Sequence, residues 1–280
     1  MAALARRVSR DQLWVKEFHI WMRGMTAQWM GVTGSHANSV APLLISTEQG
    51  YLKSTFCKSL LPPALQRYYM DKVDLTSQGH IERRLAEMGL LNLDEFDKYA
   101  PTKMPLLKNL MQMASLSLCK AYQKNYRSLP RIASFIGTSN RKDLLTDPTG
   151  SRRFICVLVE YPIDCEGIDY AQLYAQLKAE ILAGEHYWFT KEEETELQQS
   201  NMTLYRQGPV DDGLRSCYRA AEKGEGCELL SSADIFQRLK KINPAAMRGA
   251  NPASLAQILI AVGIERKHTK FGNVYRVVSV

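Results

Sequence analysis

"STEQGYLKST", residues 46–55, decides how the chain is read. A phosphate-binding loop follows the pattern G-x-x-x-x-G-K-[ST]. Anchored on Lys53-Ser54, that pattern places glycine at 47 and 52. The chain has Thr47 and Leu52, and the only glycine in the stretch is Gly50. Glycine in such a loop permits positive φ and close backbone approach. Leu52 held in left-handed geometry costs about 1–2 kcal/mol, and its side chain must point away from any phosphate. Gly50 is then the residue that makes the tight turn, with Glu48 and Gln49 leading in. The flanks suit the motif. "VAPLLIS" (40–46) has the apolar run of a buried strand, and "KSTFCKSLLP" (53–62) is a helix stopped by Pro62-Pro63.

The same alternation continues outward. Leu13, Phe18, Trp21, Met22, Met25 and Trp29 recur at helical spacing over 11–30. "IERRLAEMG" (81–89) is a helix, "LLNLDEFD" (90–97) begins as a strand and ends in acids, and "MPLLKNLMQMAS" (104–115) is a helix. "LSLCKAYQKNYRSL" (116–129) has the pattern of a hairpin. "RIASFIGTSN" (131–140) and "RRFICVLVE" (152–160) are strands, and 170–200 is mostly helical. Strands alternating with helices give an α/β layered domain. From 231 the pattern becomes helix, helix, β-hairpin. "ADIFQRLKKI" follows a capping Ser231 or Ser232, "PASLAQILIAVG" opens on proline and closes on Gly263, and two strands flank Phe271-Gly272-Asn273. That is the outline of a winged helix-turn-helix. The expected division is an N-terminal helical segment (1–39), a three-layer α/β domain (40–206), a Gly-, Asp- and Lys-rich linker (207–230) and a winged-helix-like domain (231–280).

Of 280 residues, 36 are Lys or Arg and 29 are Asp or Glu, for a net charge of +7. The charge is unevenly spread. Eight basic residues face two acids over 120–153, and eight face one acid over 235–280. Ten acids face two lysines over 160–200. Two basic blocks around an acidic one point to contact with a polyanion. No apolar run has the length of a membrane span, and no hydrophobic stretch follows the charged N-terminus as in an export signal. The six cysteines form no C-x-x-C pair and the five histidines do not cluster with them. Reduced thiols in a cytoplasmic protein, without a structural zinc, are the expectation.

Nucleotide hydrolysis needs backbone N–H groups and a lysine on the phosphates, a hydroxyl and a carboxylate for Mg²⁺, and polar groups to direct the attacking water. The chain offers a candidate for each. Gln49, Gly50, Lys53, Ser54 and Thr55 line the loop, with Ser54 and Asp94 as the Mg²⁺ pair. Glu95 is the candidate general base. Asn140, at the end of "SFIGTSN", is the candidate for positioning water. Arg152 and Arg153 are candidates for reaching a neighbouring subunit's phosphate. Singly these are common residues; their joint occurrence at strand ends is the signal. The loop is either functional despite Leu52 or weakened in nucleotide binding. Retention of the residues needed only for hydrolysis favours the first.

Together "QGYLKSTFCKSLLP", "GLLNLDEFD", "LKNLMQMA", "RIASFIGTSN" and "LLTDPTGSRRFICVLV" resemble the virulence-associated E protein family, P-loop NTPases related to superfamily 3 helicases and to primase-helicases of phages and mobile elements. The resemblance covers about residues 10–200, and 231–280 resembles the winged-helix segment of Bacteroides-like relatives. It implies an AAA+-type, ATP- and Mg²⁺-dependent motor that works as a homo-oligomeric ring on DNA in replication of a mobile element. Lys53, Ser54, Asp94, Glu95, Asn140 and Arg152/Arg153 then fall on the Walker A, Walker B, sensor and finger positions. Larger members carry an additional, sometimes primase-like, N-terminal domain. This chain begins at the helix before the loop, so no priming activity is implied. It reads as a truncated or split member, with a separate primase as a candidate partner.

A second candidate site is Lys120, Tyr122, Lys124, Tyr126 and Arg127, where cations interleave with rings that bases can stack on. In helicases of this type a hairpin here lines the channel. The other reading is an exposed strand that uses Tyr for β-propensity and Lys to protect its edge. The rival to the motor is a DNA-binding regulator gripping duplex through the winged helix, with the α/β domain a nucleotide-gated switch or a scaffold. A third reading is a structural oligomer without turnover.

Overall fold

The computed structural model describes residues 1–34, 36–119, 126–142, 144–145, 151–204, 209–222, 224–270 and 272–280. The chain divides into two compact units, Met1–Leu204 and Tyr205–Val280.

The first unit runs α1 (Ala2–Ala5), α2 (Gln12–Trp29), β1 (Ala41–Ile45), α3 (Lys53–Ser59), β2 (Tyr69–Met70), α4 (Gln78–Glu87), β3 (Leu90–Leu93), α5 (Met104–Gln112), β4 (Ser115–Cys119), β5 (Tyr126–Pro130), β6 (Ser134–Ser139), β7 (Phe154–Leu158), α6 (Tyr170–Leu182) and α7 (Lys191–Ser200). Its main sheet has the order β2-β3-β6-β1-β7, and every pairing in it is parallel. Parallel strands need their faces covered, so they read as continuous apolar runs rather than alternating ones. "APLLI" of β1 is buried at every position. β4 and β5 pair antiparallel as a separate ribbon.

The α2 helix, capped by Asp11, is buried at Trp14, Phe18, Trp21, Met22 and Met25. Trp14, Phe18 and Trp21 stack at 4.7 and 5.6 Å. Burying each such side chain contributes about 1.5–3 kcal/mol. Helices α1 and α2 thus contribute buried side chains to the core of the α/β unit. Arg131 ties α2 to the sheet. Its guanidinium is fully buried and donates to the carbonyls of Leu110 and Met111 at the end of α5, to Gln28 Oε1 and to the Asn38 carbonyl, at 2.7–2.9 Å. A cation on the last carbonyls of a helix satisfies orphaned acceptors and complements the dipole. Arg131 therefore leaves the basic block expected to face a polyanion: its charge is spent inside the core.

The second unit holds α8 (Pro209–Cys217), β8 (Tyr218–Ala220), β9 (Glu228–Leu230), α9 (Ser232–Ile242), α10 (Pro252–Ala261), β10 (Arg266–Thr269) and β11 (Gly272–Ser279). β10, β8 and β9 all pair antiparallel with β11. Ser231 and Asn251 close capping boxes at α9 and α10. Residues 207–230 are therefore not a linker. Val210, Leu214 and Cys217 mark one helical face, and Leu214 and Tyr218 are buried with Ile235, Leu239 and Leu255. So few apolar positions among Gly, Asp and Lys hid that face. Among the described residues no helix is long and apolar enough to cross a membrane.

Glu17 is the buried acid of α2, 4% exposed, and burial pushes its carboxyl up to about 8. The unfolded chain gives up this proton near 4.5 while the native state keeps it. Its contribution therefore makes stability fall as pH rises from about 4.5 to about 8. Chemical denaturation across that window should give a shallower decline for Glu17→Gln than for the parent, the difference amounting to roughly 2–4 kcal/mol.

Candidate nucleotide site

Three loops leave the carboxyl edge of neighbouring parallel strands, the edge at which open α/β sheets bind ligands. The 46–52 loop follows β1, Asp94-Glu95 follows β3, and Asn140 follows β6. Register aligns them: Leu43 lies beside Gly137, and Gly137 beside Leu93. A Cβ on Gly137 would sit 2.6 Å from Leu43 Cδ2 and 3.1 Å from the Leu93 carbonyl oxygen. Only glycine lets the three strands close at this level.

Lys53 opens α3 and is 8% exposed. Its ammonium donates to the carbonyls of Ser46 (3.2 Å) and Glu48 (3.3 Å) and to Asn140 Oδ1 (3.0 Å). An ammonium has three donors, so protein acceptors take all of them, and an incoming anion must displace one or more. Burial lowers the Lys53 pKa, opposed by the charges of Asp94 and Asp97. Ser54 donates to Asp94 Oδ1 at 2.8 Å, and Thr138 donates to the same oxygen at 2.6 Å. Because Ser54 gives its proton to Asp94, its oxygen lone pairs remain available to a cation. The first N–H groups of α3 have no acceptor within the helix.

Leu52 has φ 59°, ψ 25°, and is 46% exposed. The left-handed geometry that the pattern demands of glycine is thus adopted by leucine, with the side chain turned outward. Gly50 has φ 80°. Glu95 has φ 50°, so among the described residues both non-glycine positive-φ positions lie in this cluster. Strain of this kind collects at functional sites. The Glu95 amide donates to Thr138 Oγ1 (3.3 Å), and its carboxylate pairs with Lys98 at 2.5 Å.

Lys53, Ser54, Asp94, Glu95 and Asn140 are thus brought together. Gln49 and Thr55 are exposed. Thr55 lines a cavity of about 490 Å³ with Leu52, Lys58 and Cys165, and a second cavity of about 250 Å³ lies between Ser46, Glu48, Tyr51 and Lys142. Arg152 is not brought in. It precedes β7 at the level of Ala41, the amino end of β1, and pairs with Glu194 at 3.3 Å. Arg153 occupies the same turn. Lys120, Tyr122 and Lys124 lie outside the described residues. Tyr126 and Arg127 belong to the backbone of β5, and their side chains lie outside the described structure. Sequence reasoning missed Ser46, Thr138, Ser139 and Asp97. Thr138 is within reach of it, since residues two apart along a strand share a face and Asn140 stands two positions beyond Thr138.

Magnesium ions are held by one or two carboxylates together with substrate phosphates rather than by a protein cage. Ser54 and Asp94 fit that mode, and among the described residues no group of three or more His, Cys, Asp or Glu forms a cage.

The family model of the virulence-associated protein E-like domain matches residues 7–206. The chain belongs to that family. A second model, a domain of unknown function described from a B. theta gene (DUF3874), matches residues 207–277. No curated protein matched. Solved structures of the apo C-terminal region of NrS-1 (305–718) share 12% identity with this family member, over 99% of this chain and 74% of theirs, at a TM-score of 0.47. A third, like the second described as the A form of that region, gives 0.45. At that distance the likeness carries no functional argument.

Leucine at φ 59° implies a specific response to substitution. In urea unfolding, Leu52→Gly should stabilise by about 0.5–1 kcal/mol, against the usual cost of glycine. Leu52→Val should destabilise by about 1–2 kcal/mol, because branching at Cβ worsens the left-handed conformation.

Proposed function

We propose that the chain is an ATP-hydrolysing motor ATPase of the P-loop, superfamily 3 helicase-like type that translocates on DNA as a homo-oligomeric ring in replication of a mobile element. The observation that carries the reading is the convergence of Lys53, Ser54, Asp94 and Asn140 at the carboxyl ends of β1, β3 and β6. Membership of the virulence-associated protein E-like family supports it.

In this reading the loop amides and Lys53 take the β- and γ-phosphates, with Lys53 trading its loop carbonyls for phosphate oxygens. Ser54 and Asp94 would hold Mg²⁺, which would supply charge neutralisation to the phosphates. Asn140, released from Lys53, orients the attacking water, and Glu95 accepts its proton. Glu95 must first leave Lys98, which costs little because exposed ion pairs are worth about 0.2–1 kcal/mol. Arg152 and Arg153, set at the other edge of the sheet, act on a neighbouring subunit's site. In the same reading Lys120, Tyr122, Lys124, Tyr126 and Arg127 grip single-stranded DNA.

The helix, strands, helix, helix, hairpin order of the second unit supports reading it as a winged helix, and we assign it a DNA contact. Its composition weighs against the regulator reading. Sequence readout in the major groove uses Arg, Lys, Asn and Gln on the inserted helix. In that outline α10 is the inserted helix, yet "PASLAQILIA" carries no charge, and Gln257 is the one side chain of that set within it. Exposed Arg266 and Lys267 on β10 suit phosphates instead.

Steady-state hydrolysis with and without single-stranded DNA tests the proposal. The parent should hydrolyse ATP in a Mg²⁺-dependent manner and be stimulated by the strand. Lys53→Ala should weaken nucleotide binding about tenfold or more, and Glu95→Gln should bind nucleotide but turn over at least about 100-fold more slowly. A parent with no turnover, or an active Glu95→Gln, would falsify the motor reading.

A further inference from the structure

Asp97 lies three residues after Asp94 and belongs to none of the roles above. Its position is tightly set. The left-handed turn at Glu95 sends the chain into a short 3-10 turn, Phe96–Lys98. Phe96 is 5% exposed, its ring edge-on to Phe154 at 5.0 Å. That anchor leaves Asp97 facing the end of β6, where its Oδ1 accepts from Ser139 Oγ at 2.9 Å.

Ser139 is 1% exposed and joins two parts of the site. Its carbonyl accepts from the Ser46 amide at 3.1 Å, at the start of the loop. Its hydroxyl accepts from the Arg141 amide at 3.0 Å, bracing the turn that displays Asn140. A hydroxyl has one proton. Given to Asp97, that proton leaves the oxygen lone pairs free for the Arg141 amide. Without Asp97 the acceptor at hand is the Arg141 carbonyl, 3.1 Å away. Rotation toward that carbonyl takes the lone pairs from the amide, and the turn loses its brace.

We propose that Asp97 is a positioning residue: its carboxylate fixes the Ser139 hydroxyl and, through the turn at Arg141, the presentation of Asn140 to Lys53 and to water. The catalytic half of this rests on the hydrolysis reading; the structural half does not. A different role for Asp97, as a charge facing Lys53, makes a different prediction. Asparagine keeps an oxygen that accepts from Ser139 and removes the charge. The two roles therefore separate on rescue by Asp97→Asn.

The test uses the full chain with Asp97→Ala and Asp97→Asn, read by amide hydrogen exchange without nucleotide and by steady-state ATP hydrolysis. Loss of one hydrogen bond corresponds to about tenfold faster exchange at the Arg141 amide, expected for alanine and not for asparagine. For alanine kcat should fall about tenfold, with KM changed less than about threefold, while asparagine stays within about threefold of the parent in both. Unchanged exchange at Arg141 in the alanine variant overturns the proposal, as does an asparagine variant as impaired as alanine. If the parent hydrolyses no ATP, the functional reading fails on that result, and the exchange measurement still decides whether Asp97 positions the turn.

Discussion

Gly137 sits between Leu43 and Leu93 with no space for a methyl group. The rest of the candidate site depends on that contact. Parallel neighbours point their carboxyl ends the same way, and tight closure at Gly137 brings those ends level. The 46–52 loop, Asp94-Glu95 and Asn140 then leave the sheet side by side. Lys53, Ser54 and Thr138 close the gaps with hydrogen bonds of 2.6–3.3 Å. A larger residue at 137 would separate β1 from β6, and the same side chains would no longer meet.

The two strained residues follow from this geometry. The chain must reverse within a few residues to pass from β1 into α3, and again from β3 into the Phe96–Lys98 turn. Left-handed backbone makes both reversals. At 52 the penalty falls on leucine, whose side chain escapes into solvent. At 95 it falls on glutamate, whose amide reaches Thr138 and whose carboxylate reaches Lys98. A site assembled this way stands with Lys53 bonded to its own loop, so ligand entry must be coupled to a change of partners at Lys53. Helices supply the support behind it. Arg131, Gln28 and Asn38 form a buried polar knot between α2, the end of α5 and the start of β6. Broken at one member, such a knot leaves buried groups without partners, which costs more than its intact bonds contribute.

Much of the first unit was legible in its residues. Apolar runs ending in polar residues marked β1, β3, β6 and β7 within two or three residues, because strands covered on both faces carry little else. The strand-end positions of Asp94 and Asn140 were legible for the same reason. Asp97 and Ser139 were not. Asp97 reaches Ser139 only because Glu95 turns left-handed and Phe96 dives into the core, and neither event leaves a local pattern. Arg131 looked like a surface cation, since a count of charges holds no record of which carbonyls lie within reach. The helix at 209–217 was hidden by its polar majority, for a helix at the rim of a small unit buries few positions.

The amino-acid sequence by itself determined the alternation of strands and helices, the glycine-poor loop between β1 and α3, and the residue types able to handle a phosphate and its cation. Those are properties of short windows, set by hydrophobic period, caps and turn residues. Only the tertiary structure decided which windows became neighbours. The strand order β2-β3-β6-β1-β7 sets residues 53, 94 and 140 together though they stand dozens of positions apart along the chain. Strand order arises from packing a whole sheet against its helices, and that is a sum over contacts that no local stretch contains.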